Sequence, residues 1–222
     1  TDIDGMHNND PRLVKSTKPV EHLSFDEAAE LAYFGAKILH PASIWPAQHY
    51  NIPVKLLNTM EPEAKGTIIL KDAERDGVKA VAAKDGIVML KIKSGRMLLA
   101  YGFLRKIFEV FEKYRTSIDM ITTSEVAVSV TIDNTQCLDE ISKELQPLGE
   151  LEIVQQQSIV SVVGNKLTQN SNLMMRMFDS LKDIPVNMVS YGGSLHNVSI
   201  LVHTAHKNET LIALNKGLFG LD

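Results

Sequence analysis

A carboxylate, Asp119, sits one residue inside a β-type run that breaks at the polar turn Thr123-Ser124-Glu125 before a second run continues to Asp133. An acid there can pair with the ammonium group of a ligand, and such charge-assisted contacts are stronger than neutral hydrogen bonds. Ahead of it, Met97, Gly102, Phe103 and Leu104 precede and open a helix-type segment. Unpaired N–H groups at a helix start suit a carboxylate, and a glycine lets ligand and backbone approach closely. Thr123, Ser124 and Glu125 form the turn that would close over a molecule held this way. The same plan returns about 70 residues later over 186–202, with Asn187 in place of Asp119. A small-molecule-sensing module used twice is the chemistry this repetition points to. Each group also has a plainer use: Asp119 as a strand-end acid, the turn as a polar hairpin, Phe103 and Leu104 as core.

Other candidate chemistry is weaker. His196, His203 and His206 have a spacing that fits no strand or helix pair able to converge ligands, and no carboxylate or thiol accompanies them, so no metal is expected. Cys137 lies next to an apolar helix face and reads as inert; a single cysteine excludes an internal disulfide and suits the cytosol. With 44% hydrophobic and 23% charged residues in 222, the chain reads as an ordinary globular protein of one or two domains. A net charge of −4 and scattered Lys and Arg argue against nucleic acid. No apolar stretch nears the roughly 20 residues that cross a bilayer. Thr1-Asp2-Ile3-Asp4 has neither the basic end nor the apolar stretch of a signal peptide. Without an initiator Met, the chain reads as the inside of a longer, cytoplasmic protein.

Pattern then gives the elements that must position these groups. Residues 1–22 read as loop, broken at Asp10-Pro11 and Lys18-Pro19. Ser24-Phe25-Asp26-Glu27 is a capping box opening a helix with Ala28, Leu31, Ala32 and Gly35 at helical spacing, ended by His40-Pro41. A short helix over 42–49 and strands over 53–57 and 67–70 follow, and the charged break 72–77 marks a domain boundary. Next, 78–84 and 87–93 alternate about Asp85-Gly86, a hairpin signal. Helix 102–114, strands 118–122 and 126–133, helix 136–145 and strand 151–155 complete a βαββαβ, ferredoxin-like unit. A second unit (strand 158–164, helix 171–181, strands 186–190 and 198–203, helix 209–219) stops one strand short. The run 78–84 has no role in the first unit, so it is expected to complete the second, with the first inserted. The expected organisation is 1–76, then 86–156 inserted between 78–84 and 157–222, in the α/β (α+β) class.

The segment Phe34-Gly35-Ala36-Lys37-Ile38-Leu39-His40-Pro41 resembles a signature of aspartate kinases, as does Thr1-Asp2-Ile3-Asp4-Gly5-Met6 leading into Asp10-Pro11-Arg12. Asn58-Thr59 followed by Pro62, Ala64 and Gly66-Thr67 is similar to the stretch that comes next in that family. The repeats resemble its paired ACT domains, regulatory modules that bind amino acids, and 117–128 looks most like the lysine-inhibited, single-function branch. The resemblance implies part of an amino-acid-kinase α/β/α domain followed by two ACT domains. It further implies that the full enzyme uses ATP and Mg²⁺ to phosphorylate L-aspartate to 4-phospho-L-aspartate, under feedback inhibition by L-lysine.

Thr1, Asp2, His7, Arg12 and Lys37 match positions that contact ATP in the family. Arg12 and Lys37 can neutralise phosphate oxygens and Asp2 can accept from the nucleoside; His7, where the family often has Tyr, can still stack on adenine. Met97, Gly102, Phe103, Leu104, Ile118, Asp119, Thr123, Ser124 and Glu125 become the effector site, with Ala100 where the family often has a hydroxyl. The family's Lys-x-Gly-Gly-Thr phosphate cradle is absent, so no catalytic residue is expected and the chain alone should be inactive. Homodimerisation through the ACT domains is expected. The competing reading is a non-catalytic, amino-acid-binding regulatory subunit of an aspartate kinase. A sensor serving another enzyme has no use for residues 1–70. Lysine, threonine and S-adenosylmethionine all occur as effectors in the family.

Overall fold

The capping box forms. Ser24 Oγ accepts from the Glu27 amide at 3.1 Å while Glu27 Oε2 accepts from the Ser24 amide at 2.7 Å, satisfying two amides at the helix end. Helix α1 (Phe25–Tyr33) then turns Phe25, Ala28 and Leu31 inward. Before it runs β1 (His22–Ser24), too short to show a period in sequence. It pairs in parallel with β3 (Thr67–Leu70), which pairs antiparallel with β2 (Val54–Leu56). Ile44 of α2 (Pro41–His49) joins Met6, Leu23, Phe25, Leu31 and Ile69 in the core beneath this sheet. The computed structural model describes residues 3–35, 41–72, 76–97 and 101–221.

The chain divides into an outer unit, Thr1–Lys84 with Ile159–Asp222, and an inserted unit, Asp85–Ser158. Two strands carry the chain between them: β4 (Gly77–Lys93) and β7 (Glu150–Asn165). The inserted unit adds α3 (Phe103–Lys113), β5 (Ile121–Thr123), β6 (Ala127–Ile132) and α4 (Leu138–Leu145), in strand order β5-β6-β4-β7. Strand β6 pairs antiparallel with β4, Val88 opposite Ile132. Its core joins Leu90, Ile92, Val128 and Val130 of the sheet to Ile107 and Phe111 of α3 and Ile141 and Leu145 of α4.

The outer unit repeats the plan with α5 (Leu173–Ser180), β8 (Met188–Ser190), β9 (Asn197–His203) and α6 (Lys207–Phe219), in strand order β4-β7-β9-β8. Val81, Val160, Val162, Val198 and Ile200 meet Leu173, Met177, Leu211 and Leu214 of its helices. The opposite face uses alternate residues, as a pleat requires: Ala80 and Val163 join the core around Phe25 and Ile69. Buried amides pin the N-terminal segment to α6. Asn8 Nδ2 donates to Asn215 Oδ1 at 2.9 Å, Asn9 Nδ2 to the Leu211 carbonyl at 3.1 Å, and Asn215 Nδ2 to the Ser16 carbonyl at 2.8 Å.

The local hairpin signal at Asp85-Gly86 is overridden, as the assignment of 78–84 to the second unit requires; β4 runs straight through it. Gly86 adopts φ +78 and Gln156, on β7, φ +55. A residue in the left-handed region can bend a strand without ending it, so β4 keeps β7 as its neighbour while 88–93 gain β6 on the other side. For the same reason 151–155 and 158–164 form one strand rather than two. The strand expected over 118–122 is β5, beginning at Ile121, so Asp119 precedes it.

Candidate functional site

The inserted unit positions Asp119 by an irregularity in its ladder. The Asp119 amide donates to the Thr131 carbonyl at 2.9 Å, and the Thr131 amide donates to the Met120 carbonyl at 2.9 Å. Thr131 Oγ1 accepts from the Met120 amide at 2.9 Å. Two residues therefore face one, the arrangement of a bulge, which re-aims a side chain. Asp119 is half-buried while Met120 and Thr131 are buried. Ile118, Met97 and Leu104 pack against the same apolar cluster that includes Phe103. Gly102 caps α3 with φ 76 and ψ 12. Among the described residues nothing lies within 4 Å of where its Cβ would be, so glycine serves the backbone angle. Thr123, Ser124 and Glu125 are exposed. Their turn is closed by the Ser124 amide donating to the Ala127 carbonyl at 2.9 Å and Thr123 Oγ1 donating to the Ser124 carbonyl at 3.2 Å. The arrangement offers a carboxylate, a helix start with no side-chain cap and an exposed polar turn on one small unit, which suits a zwitterionic ligand. Thr131 is the supporting residue that pattern reading missed; a lone threonine within an apolar strand gives no signal.

The nucleotide-end residues lie in the outer unit. Arg12 is exposed and bidentate on Asp10, Nε to Oδ1 at 2.9 Å and the terminal nitrogen to Oδ2 at 2.7 Å. The hydrogen bond from Arg12 holds the Asp10 carboxyl below its ordinary range. The ring of His7 is oriented from both sides, Nδ1 2.8 Å from Thr17 Oγ1 and Nε2 3.1 Å from Asp4 Oδ1. Thr1, Asp2 and Lys37 lie outside the described residues.

In the second repeat the matching loop is engaged. Ser194 Oγ donates to Glu30 Oε1 and Asn197 Nδ2 to Glu30 Oε2, each at 2.9 Å. His196 lies with Nδ1 3.2 Å from the Gly164 carbonyl and Nε2 3.8 Å from Asp26 Oδ2. Beneath them Glu27 is fully buried; burial pushes its carboxyl above the ordinary glutamate range against the pull of the Ser24 amide, Lys79 and His196. Of the other histidines, His203 Nδ1 accepts from the Ala205 amide and His206 Nδ1 sits 3.3 Å from Glu209. Among the described residues no group of three or more His, Cys, Asp or Glu could hold a metal ion, and no helix is long and apolar enough to cross a membrane.

Comparison with known proteins gives this geometry a family. The profile of the amino acid kinase family matches residues 1–58, and that of an ACT domain matches 160–218. Aspartokinase 3, chloroplastic, of Arabidopsis thaliana is 38% identical over the whole of this chain, which covers 42% of that protein. The crystal structure of Escherichia coli aspartokinase III in complex with aspartate and ADP (R-state) superimposes with a TM-score of 0.92 at 33% identity, over 99% of this chain and 51% of that one. The same enzyme with lysine and aspartate (T-state) gives 0.85 over the same span. A putative C-terminal regulatory domain of aspartate kinase from Porphyromonas gingivalis is 45% identical, with a TM-score of 0.58, and 63% of this chain covers 96% of it. A kinase-domain end joined to ACT-type repeats defines an amino acid kinase with a regulatory region. Within that class the chain belongs to the aspartokinase family. It spans about two fifths to a half of the length of the curated relatives it matches.

Proposed function

We propose that this chain is the nucleotide-side end and the regulatory region of a lysine-sensitive aspartate kinase. The observation that carries the reading is the superposition of almost the whole chain, kinase end and both repeats together, on an enzyme whose structures are described with aspartate, ADP and lysine. Residues 1–76 form the end of the kinase domain, 86–156 the first ACT domain, and 78–84 with 157–222 the second. The complete enzyme works in the cytoplasm. It transfers the γ-phosphoryl group of ATP, with Mg²⁺, to the side-chain carboxylate of L-aspartate, by positioning and charge neutralisation rather than covalent catalysis. Thr1, Asp2, His7, Arg12 and Lys37 belong to its ATP side. Arg12 would exchange its Asp10 partner for phosphate oxygens, a trade between two anions that a guanidinium fork accommodates.

Lysine binds the inserted unit. Its side-chain ammonium meets Asp119, its α-carboxylate meets the start of α3 at Gly102–Leu104, and Thr123–Glu125 closes over it, with Met97 and Ile118 lining the site. The repeats pair side by side in a homodimer, which covers edge strands that would otherwise stay open. The coupling between lysine and substrate sites is of the usual allosteric size, about 1–3 kcal/mol. Calorimetric titration of the 222-residue chain with lysine, threonine and S-adenosylmethionine tests the reading. Saturable lysine binding at one per chain, with no heat from the other two, is expected. Threonine binding without lysine binding overturns the effector, and ATP-dependent aspartate phosphorylation by this chain alone overturns the assignment of catalysis to residues outside it.

A further inference from the structure

Helix α1 presents three acids to the second repeat. Asp26 and Glu27 precede Glu30 by one helical turn, so all three share a side. Facing them are the donors Ser194 and His196 of the β8–β9 loop and Asn197 at the start of β9, with Lys79 nearby. We infer that this loop is a docking clasp for α1, in which the Glu30 carboxylate holds the helix by taking the Ser194 and Asn197 donors together. The inference rests on the reading of the repeats as regulatory modules.

Three observations carry it. Both oxygens of Glu30 are used, one by Ser194 and one by Asn197, each at 2.9 Å, across 164 and 167 residues of sequence. The clasp is seated: Asn197 Oδ1 accepts from Ser199 Oγ at 2.9 Å, and Ser199 Oγ lies 2.7 Å from Ser161 Oγ, both serines being buried on β9 and β7. Ser194 Oγ also accepts from the His196 amide at 3.0 Å, which fixes the loop's own shape. The third observation is Glu27, fully buried with Oε1 lacking a hydrogen-bond partner among the described residues. An acid left in that state is costly, and it persists only where the surrounding contacts hold the helix in place.

The clasp sets the placement of α1 against the second repeat. Glu30 is thus a positioning residue, acting through its helix.

Hydrogen exchange on the full 222-residue chain tests this without any ligand, so it stands or falls apart from lysine binding. Glu30→Ala, Asn197→Ala, Ser194→Ala and the Glu30→Ala/Asn197→Ala pair are compared with the parent. Each single change is expected to raise exchange about tenfold both in α1 and across 190–197, leaving 103–132 unchanged. The double change should do no more than either single one. Glu30→Gln, which keeps one acceptor, should fall between. Should Glu30→Ala fail to fold, the two loop variants decide alone, since neither touches the helix covalently. Exchange in α1 that stays at the parental rate in both Ser194→Ala and Asn197→Ala, or purely additive effects in the double variant, would overturn the clasp.

Discussion

The two repeats share a plan and differ at one turn. In the inserted unit six residues separate the paired Thr122 and Ser129; in the outer unit eight separate the paired Ser190 and Ser199. The shorter turn is left in solvent, with Thr123, Ser124, Glu125 and Val126 all exposed. The longer one carries Ser194 and His196 onto α1. Ahead of the turn, the first repeat has the half-buried Asp119 and the second the exposed Asn187, although both amides donate to the facing strand, to Thr131 and Leu201. Two extra residues and one charge separate a copy that can meet a cationic ligand from a copy that grips its own chain. Duplication supplies the scaffold, and small changes at one loop decide its use.

The largest test of this division is to damage each core separately. Phe111→Ala in the inserted unit and Leu214→Ala in the outer unit remove side chains 2% and 0% exposed, each at a cost of about 2–5 kcal/mol. Calorimetric melting should show Phe111→Ala lowering a transition that carries lysine binding, and Leu214→Ala lowering a different one. A single shared transition that both variants shift alike would mean that the repeats do not behave as separate bodies.

Asp119→Ala sharpens the comparison at the site itself. It should weaken lysine binding about tenfold, the loss of roughly 1.4 kcal/mol, while Asn187→Ala leaves the isotherm unchanged. Equal affinities in the parent and the Asp119 variant would remove the charge from the explanation. Gly102→Ala has a smaller expected effect. The backbone there is at φ 76 with open space for a methyl group, so the cost is backbone strain alone, about 1 kcal/mol, read from the urea midpoint.

The smallest effect is a dependence on pH. Burial raises the folded-state value of Glu27 above its ordinary 4.5. The neutral acid is the better-tolerated form, so the contribution of Glu27 to stability is fully present below 4.5 and is lost as pH rises through the raised folded value. Glu27→Gln keeps an acceptor for the Ser24 amide without the charge, and should gain on the parent as pH climbs across that window. Denaturation curves for both proteins that stay parallel across the window would contradict a buried, charge-averse Glu27.

What could be read from sequence was whatever a local pattern encodes. Ser24 and Glu27 announce their capping box because partners three residues apart need no tertiary information. The helices carrying Ile107, Phe111 and Leu211, Leu214 follow from apolar spacing. Asp85-Gly86 is locally ambiguous because a turn-forming pair and a strand bend use the same positive φ at glycine; the count of strands, which sent 78–84 to the second unit, resolved it. Strand β1 has three residues and exists through β3. The bidentate Arg12 was visible as a charge but not as a partner of Asp10. Glu30 looked like any exposed helical acid, since its partners lie at Ser194 and Asn197.

The inserted unit begins at Asp85 and ends at Ser158, and Ser158 Oγ donates to Asp85 Oδ1 at 2.7 Å. Entrance and exit are one hydrogen bond apart. A segment with such neighbouring ends behaves as a cassette: chain can be exchanged between them without asking the flanking strands to move their ends. On the proposed reading of the inserted unit as the lysine sensor, replacing 86–157 with a module that recognises another small molecule would change what the protein hears while leaving the listener's frame intact.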